Sequence, residues 1–435
     1  MEKVPTTQPT IESMREYILE GSTPPEAWRT GLELELIGYK KAKGETLERL
    51  TYDDIRRVLE AYGGEPIIED GNTIGSRGNH GTISLEPGGQ LEYSSLPYTT
   101  LDGAQCALIN YLVWLRDLAQ DIGFHFIGVG FDPIATLESQ HWVPKPRYSI
   151  MRPYLGARGA RSWDMMTRTA AIQVNVDFED EQDLGEKFVL GNRLAPIVSA
   201  IFSNSPFKEG RLTGFKSERS LVWLEMDQDR SGIALPAIDP DFSIDQFIES
   251  AIQTPMFFVR RNGDYIDVSG TRFRDYLSKS EATINDFADH LTTIFTEARV
   301  KQWIELRGMD SRGTRGAVAA EALWKGLLYD SLSRHDALNI APNLELNEFR
   351  QLQYEVARDA LEAEFAGMNV WRVAREVIEI AQDGLSRIAP DERYLLDEMA
   401  SLVIKERLTP ADILIGNFEG SWDGRIDEAI RYLAI

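Results

Sequence analysis

The sequence predicts an α+β protein: a curved antiparallel sheet flanked by helices, with a helical C-terminal region packed on it. Two observations carry that reading. Four separate runs alternate apolar side chains with Glu, Gln, Asn or Arg at a spacing of two, the period of a strand with one dry and one polar face. Beyond about residue 315 the period becomes that of long amphipathic helices, as in 348–364 and 370–385. The chain has 435 residues and is 43% hydrophobic, enough for a large core. The change of pattern sets an expected sheet-bearing region, 1–314, against a helical region, 315–435, as two lobes or as one continuous domain.

In chain order, residues 9–21 read as a short amphipathic helix, with Met14, Tyr17 and Ile18 on one side and Gly21 as its stop. After Pro24 and Pro25, the run Gly31 to Tyr39 places Leu32, Leu34 and Leu36 on one face and Glu33 and Glu35 on the other. Taken alone, such glutamates read as the solvated outer face of a sheet. Thr51 and Asp54 stand at capping-box spacing ahead of a stripe of Ile55, Val58, Leu59 and Tyr62. Residues 71–81 read as a glycine-rich loop that lacks both the P-loop and the dinucleotide spacings.

The stretch Ser84 to Glu92 is the most unusual. Gln90 and Glu92 are two apart and point the same way on a strand, while Pro87, Gly88 and Gly89 interrupt pairing and let Glu86 bend towards the face they share. A helix over 102–122 and a buried strand over 124–131 follow. Between Lys145 and Arg168 six basic residues, Lys145, Arg147, Arg152, Arg158, Arg161 and Arg168, stand against one acid, Asp164. That run reads either as a solvated loop or as a pocket for carboxylates and phosphates, which Arg recognises with its planar fork.

Ala171 to Asp177 repeats the alternation, with Gln173, Asn175 and Asp177 facing away from Ile172, Val174 and Val176. A helical stretch over 180–203 leads to Lys208, Arg211, Lys216 and Arg219 on a loop before a strand-like Ser220 to Met226. Thr254 to Val259 opens another strand, and Thr283 caps a helix carrying Phe287, Leu291 and Ile294. Lys301 to Gly308 then alternates once more, with Trp303, Glu305 and Arg307 opposite Ile304 and Leu306. The five histidines show no metal-ligand spacing.

Converging these acidic faces has a cost. Carboxylates within about 5 Å repel by roughly 3 kcal/mol per pair at an effective dielectric near 20, and several such pairs rival a total stability of ~5–15 kcal/mol. Bound cations are therefore expected. Oxygen donors without clustered His or Cys favour Mg2+ or Mn2+, and magnesium that keeps its waters and binds through few carboxylates points to phosphates, hence to ATP.

Composition narrows the setting. A net charge of −23 argues against a nucleic-acid or anionic-membrane surface, while leaving room for a local basic pocket. Cys106 is the only cysteine, so intramolecular disulfides and cysteine-rich metal sites are excluded. No secretory h-region opens the chain and no apolar run approaches the ~20 residues of a membrane span, so a cytoplasmic protein, monomer or homodimer, is expected.

Taken together, GLELE at 31–35, SLEPGGQLE at 84–92, VPKPRYSIM at 143–151, WDMMTRTAAIQVN at 163–175, NSPF at 204–207, RSLVW at 219–223, TPMFFVRR at 254–261 and HLTTIFTEARVKQWIELRG at 290–308 closely resemble the plant-type glutamate–cysteine ligases, also found in many proteobacteria. The resemblance runs from about Gly31 to the C-terminus. It implies a glutamine-synthetase-like catalytic core, a curved sheet whose concave face holds Mg-ATP. It also implies the reaction: ATP-dependent ligation of the γ-carboxylate of L-glutamate to the amine of L-cysteine through γ-glutamyl phosphate, the first step of glutathione biosynthesis.

By position, the resemblance makes Glu33, Glu35, Glu86, Glu92 and Glu305 magnesium ligands, with Gln173 and Asn175 beside them. Arg147 and Arg219 become carboxylate-binding arginines for the substrate glutamate, Trp223 a wall of the same pocket, and Arg307 a phosphate contact. Three positions depart from the family. Ala170 and Val268 stand where plant members carry redox cysteines, and Phe257 replaces a Tyr of the PMYF motif near the amine acceptor. A sibling γ-glutamyl carboxylate–amine ligase with a different acceptor is the main alternative. A guanidino kinase, which would retain phosphate on an organic product, is another.

Overall fold

The alternation of Leu and Glu in residues 31–36 becomes the middle of a ten-stranded sheet. The computed structural model describes residues 8–41, 46–239, 241–279 and 281–435. In chain order the strands are β1 (Thr30–Lys41), β2 (Leu47–Arg49), β3 (Glu65–Glu69), β4 (Asn72–Gly78), β5 (Gly81–Leu85), β6 (Leu91–Ser95), β7 (Phe124–Ile127), β8 (Ala171–Val176), β9 (Ala298–Val300) and β10 (Ile304–Asp310). They are ordered β9, β10, β8, β1, β6, β5, β4, β3, with β2 and β7 pairing to the far half of β1. All of these pairings are antiparallel.

Side-chain alternation gives the sheet two unlike faces. Leu32, Leu34 and Leu36 of β1, Leu91 and Tyr93 of β6, Ile172 and Val174 of β8, and Ile304 and Leu306 of β10 are all buried on one of them. Helices cover that dry face. The helix Thr314–Leu328, buried along nearly its whole length, packs on β1 and β8, and Val370–Ile388 and Leu101–Ile122 pack against it. One hydrophobic cluster runs from Met14 to Val403, so the helical C-terminal part shares its core with the sheet.

Several expectations need correction. Residues 71–81 are no loop: they form β4 and the start of β5, and Asp70 and Gly71, both at positive φ, make the tight turn from β3. Asp-Gly between strands is a strong hairpin signal, because a type I′ turn needs two left-handed residues. Asn262 and Gly263 do the same between the strands Phe258–Arg261 and Asp264–Asp267. The strand-like Ser220 to Met226 belongs mostly to a helix, Glu218–Leu224, nucleated by Ser217, whose side chain accepts from the Ser220 N–H. Its short apolar run fits either period, and the cap decides it.

The basic segment 145–168 folds as two helices, Pro146–Gly156 and Ser162–Arg168. Its charges scatter. Arg161 pairs with Asp164 and Glu218, Arg168 with Asp164 and Glu209, and Arg152 lies over the rings of Trp142 and Trp163. The caps at Thr51 and Thr283 form as expected, each with its reciprocal acidic residue.

Candidate active site

The polar face of the sheet lines a cavity of about 300 Å³. Its walls include Glu33, Glu35, Glu86, Glu92 and Glu305, together with Gln173, Arg147, Arg219, Trp223 and Arg307. Residues that are distant in sequence meet because β10, β8, β1 and β6 are adjacent. Glu35 stands directly opposite Glu92, Glu33 opposite Gln173, and Glu305 opposite Asn175.

The carboxylates are not equivalent. Glu35, 8% exposed, accepts from the Ala171 N–H at 2.8 Å and from Gln173 Nε2 at 3.2 Å. Burial, then the charges of Glu86 and Glu92, push its pKa well above the ordinary value. Glu92 accepts from Ser84 and Ser94 at 3.2 Å each, yet burial, Glu33 and Glu86 push it up to about 8. Glu33 is also raised, by burial and Glu305, and accepts from Asn175 Nδ2 at 2.9 Å.

Glu305 behaves in the opposite way. Burial alone would raise it, but Arg299, Lys301 and Arg307 hold it well below the usual carboxylate range. Arg299 Nη2 lies 2.7 Å from each of its oxygens, Lys301 Nζ lies 2.8 Å away, and Arg307 also bonds it. Arg299 and Lys301 were not singled out from the sequence. The signal was available: Arg299, Lys301, Trp303, Glu305 and Arg307 recur at a spacing of two.

The arginines sit at the other end of the cavity, beside Glu35 and Glu86. Between Leu306 and Met309 the pairing of β10 to β8 slips, leaving Arg307 and Gly308 out of the ladder. The Arg307 carbonyl then accepts from Arg219 Nη2 at 2.8 Å, and the Gly308 carbonyl from Ser199 Oγ at 2.7 Å. Arg219 is further fixed through its own helix, whose cap Ser217 and neighbour Ser205 both donate to Asp310 at the end of β10. The buried Nε atoms of Arg219 and Arg147 and the indole nitrogen of Trp223 have no hydrogen-bond partner. Donors of this kind are costly to bury unless a ligand accepts from them.

Two sequence-derived site residues lie elsewhere. Asn175 is outside the cavity lining, one step beyond Glu33. Phe257 is fully buried with Arg230 at 3.9 Å from its ring centre and Tyr154 edge-on to it; its neighbour Phe258 is the one that lines the cavity. Adjacent residues of an extended segment point opposite ways.

Among the described residues no three His, Cys, Asp or Glu side chains converge as a metal site, and no helix is long and apolar enough to cross a membrane. The donor chemistry nevertheless fits a hard cation: oxygen donors only, with the opposed pair Glu35 and Glu92 both disfavoured as anions in its absence.

The family model of glutamate-cysteine ligase family 2 matches residues 29–431. Glutamate--cysteine ligase B, chloroplastic, of Oryza sativa subsp. japonica is 38% identical over 445 residues, covering 99% of this chain and 89% of its own. The chloroplastic glutamate--cysteine ligase of Medicago truncatula is 36% identical over 443 residues, with 99% and 86% covered. Among solved structures, the glutamate--cysteine ligase of Francisella tularensis in complex with AMP has a TM-score of 0.56 at 13% identity, covering 90% of this chain and 85% of that one. At that identity the likeness is one of fold.

Proposed function

The chain belongs to glutamate-cysteine ligase family 2, and from that premise we propose that it joins the γ-carboxylate of L-glutamate to the amine of L-cysteine at the expense of ATP, the first step of glutathione biosynthesis. The observation that carries this reading is the pairing, in one cavity, of a carboxylate-rich end with an arginine end whose Arg147 and Arg219 Nε donors are unpartnered.

Arg147 and Arg219 bind the α-carboxylate end of glutamate, Trp223 walls the same pocket, and the γ-carboxylate is thereby held in the middle of the cavity. There its oxygen attacks the γ-phosphorus of ATP, ADP departs, and γ-glutamyl phosphate is formed. The cysteine amine then attacks the γ-carbonyl carbon, phosphate leaves, and the amine proton is lost to solvent or to a neighbouring base. Arg307, which reaches Glu305 and Gln173, contacts the transferring phosphoryl group. Positioning of this kind, with electrostatic stabilisation, supplies most of what phosphoryl transfer needs.

Glu33, Glu35, Glu86 and Glu92 would hold magnesium, or manganese, with Glu305 as a further carboxylate at the edge of that set, shared with Arg299 and Lys301. A cation held there would offset repulsion between the two anionic substrates. A cytoplasmic setting belongs to the same proposal and rests on the lone, exposed Cys106, whereas the plant relatives are named chloroplastic.

The test is coupled release of ADP and free phosphate with glutamate and a panel of amines, with the product identified by mass. Cysteine-dependent turnover is expected. Turnover only with an amine unrelated to cysteine would assign a different acceptor, and phosphate retained on an organic product would overturn the ligase reading.

A further inference from the structure

We propose that a hollow outside the acidic cavity, between the start of the helix Thr314–Leu328 and the helix Leu101–Ile122, binds a further small molecule: a monocarboxylic acid with an apolar body and a hydroxyl group.

The hollow measures about 510 Å³ and shares no lining residue with the acidic cavity. That size suits a small ligand. Two unlike surfaces meet in it: Arg116, Arg312 and Arg315 on one side, and on the other Ile109 and Val113 of Leu101–Ile122 with Tyr432, which are 42%, 41% and 57% exposed. Apolar side chains this bare, set around a concavity, leave surface that an apolar body would remove from water.

Arg312 carries the case for an anion. Arg315 Nη1 lies 2.9 Å from Glu398, and Arg116 Nη2 lies 2.9 Å from Asp117. Arg312 makes no side-chain hydrogen bond among the described residues, and its one acidic partner there, Glu398, is 3.7 Å away. Three guanidinium groups against two carboxylates leave one positive charge in excess, inside a chain whose net charge is −23. The helix Thr314–Leu328 adds to that charge, because Gly313 at its N-cap offers no side chain to the free N–H groups of the first turn. A Cβ on Gly313 would meet nothing within 4 Å. One excess charge matches a carboxylate better than a doubly charged phosphate.

Asn204 supplies an independent observation. It borders the hollow and is 2% exposed. Its Nδ2 donates to the carbonyls of Gly128 at 3.2 Å and Ser311 at 2.8 Å, which fixes the orientation of the amide and leaves Oδ1 without a donor among the described residues. A buried acceptor calls for a donor. An ammonium group would face the excess positive charge, so a hydroxyl on the ligand suits it.

Isothermal titration of the full chain with 3-phenyllactate, and separately with lactate, which lacks the ring, reads the site. A charge-assisted hydrogen bond, or the burial of a large apolar group, is worth roughly 10- to 150-fold in affinity. Phenyllactate should bind at least tenfold more tightly than lactate, and Arg312→Gln should weaken it at least tenfold. Gly313→Asp, which caps the helix and sets a carboxylate beside Arg312, should weaken it as much while raising the melting temperature, so that the loss of binding is not a loss of fold. Arg219→Lys, in the acidic cavity, should leave phenyllactate binding within twofold. Phenyllactate affinity within twofold of wild type in both Arg312→Gln and Gly313→Asp, no binding to the wild type, equal affinity for lactate, or a loss confined to Arg219→Lys would overturn the proposal.

Discussion

Glu35 and Glu92 face each other across β1 and β6 as a directly opposed pair, and burial together with neighbouring carboxylates, Glu86 and Glu92 for Glu35 and Glu33 and Glu86 for Glu92, pushes both above the ordinary carboxylate range. Like charges opposed across a ladder destabilise a sheet. The fold keeps this pair, which makes the cation-free protein a state under electrostatic load.

A pH dependence follows. Glu92 shifts from 4.5 to about 8 on folding, so between those values the folded chain holds more protons than the unfolded one. Cation-free stability therefore falls as pH rises through that window, by up to ~1.4 kcal/mol per pH unit for one group. Glu92→Gln should flatten the slope and raise the melting temperature near pH 8 in the presence of a chelator. Adding Mg2+ to the wild type should raise the melting temperature more at pH 8 than at pH 5.5. Parallel melting curves for wild type and variant across pH would refute the account.

Glu305→Gln should do the reverse. The sequence alone suggests that losing any of these acids relieves repulsion, but Glu305 is 1% exposed and neutralises Arg299, Lys301 and Arg307. Removing one partner of a buried ionic cluster costs about 3–5 kcal/mol. Urea unfolding of the cation-free protein should show that loss for Glu305→Gln and a gain for Glu92→Gln.

Arg147→Lys and Arg219→Lys should each lower kcat/KM for glutamate about tenfold or more, since an ammonium keeps the charge but loses the fork and a charge-assisted bond worth ~1.5–3 kcal/mol. The KM for ATP should change less than threefold. Steady-state kinetics with each substrate varied in turn decides it; a change confined to ATP would move these arginines to the nucleotide.

Phe257→Tyr should leave the ratio of kcat/KM for cysteine to that for 2-aminobutyrate unchanged, because residue 257 faces Arg230 in the core and not the cavity. Phe258→Ala, which enlarges the cavity wall, should change it, and an apolar wall distinguishes such close analogues by ~1–3 kcal/mol. A shifted ratio in Phe257→Tyr alone would show that position 257 reads the acceptor from behind the wall.

How much of this was legible beforehand depended on period and neighbourhood. A spacing of two marks a strand face wherever it occurs, so Glu33, Glu35, Gln173, Glu305 and Arg307 could be assigned to polar faces directly. Which strands lie side by side is a long-range matter that periodicity does not encode. The capture of Glu305 by Arg299 lies within one short hairpin, and a spacing of two does not say where such a run folds back on itself. The basic run at 145–168 divides for the same reason: Arg147 lines the cavity, while Arg161 and Arg168 are taken up by Glu218 and Glu209, far along the chain. Phe257 was misplaced by one residue, which on an extended segment exchanges core for cavity.

The slip in β10 has a consequence for binding equilibria. By freeing the Arg307 carbonyl to hold Arg219, it joins the two ends of the cavity through a single peptide group, while the Arg307 side chain reaches Glu305 and Gln173. Arg219 is thus anchored on the main chain of the same residue whose side chain serves the other end. A substrate that immobilises one guanidinium lowers the ordering cost of binding at the other, and thermodynamic linkage requires the benefit to be mutual and equal. On the proposed assignment of the two ends, glutamate and nucleotide then bind synergistically, each tightening the other by the same factor.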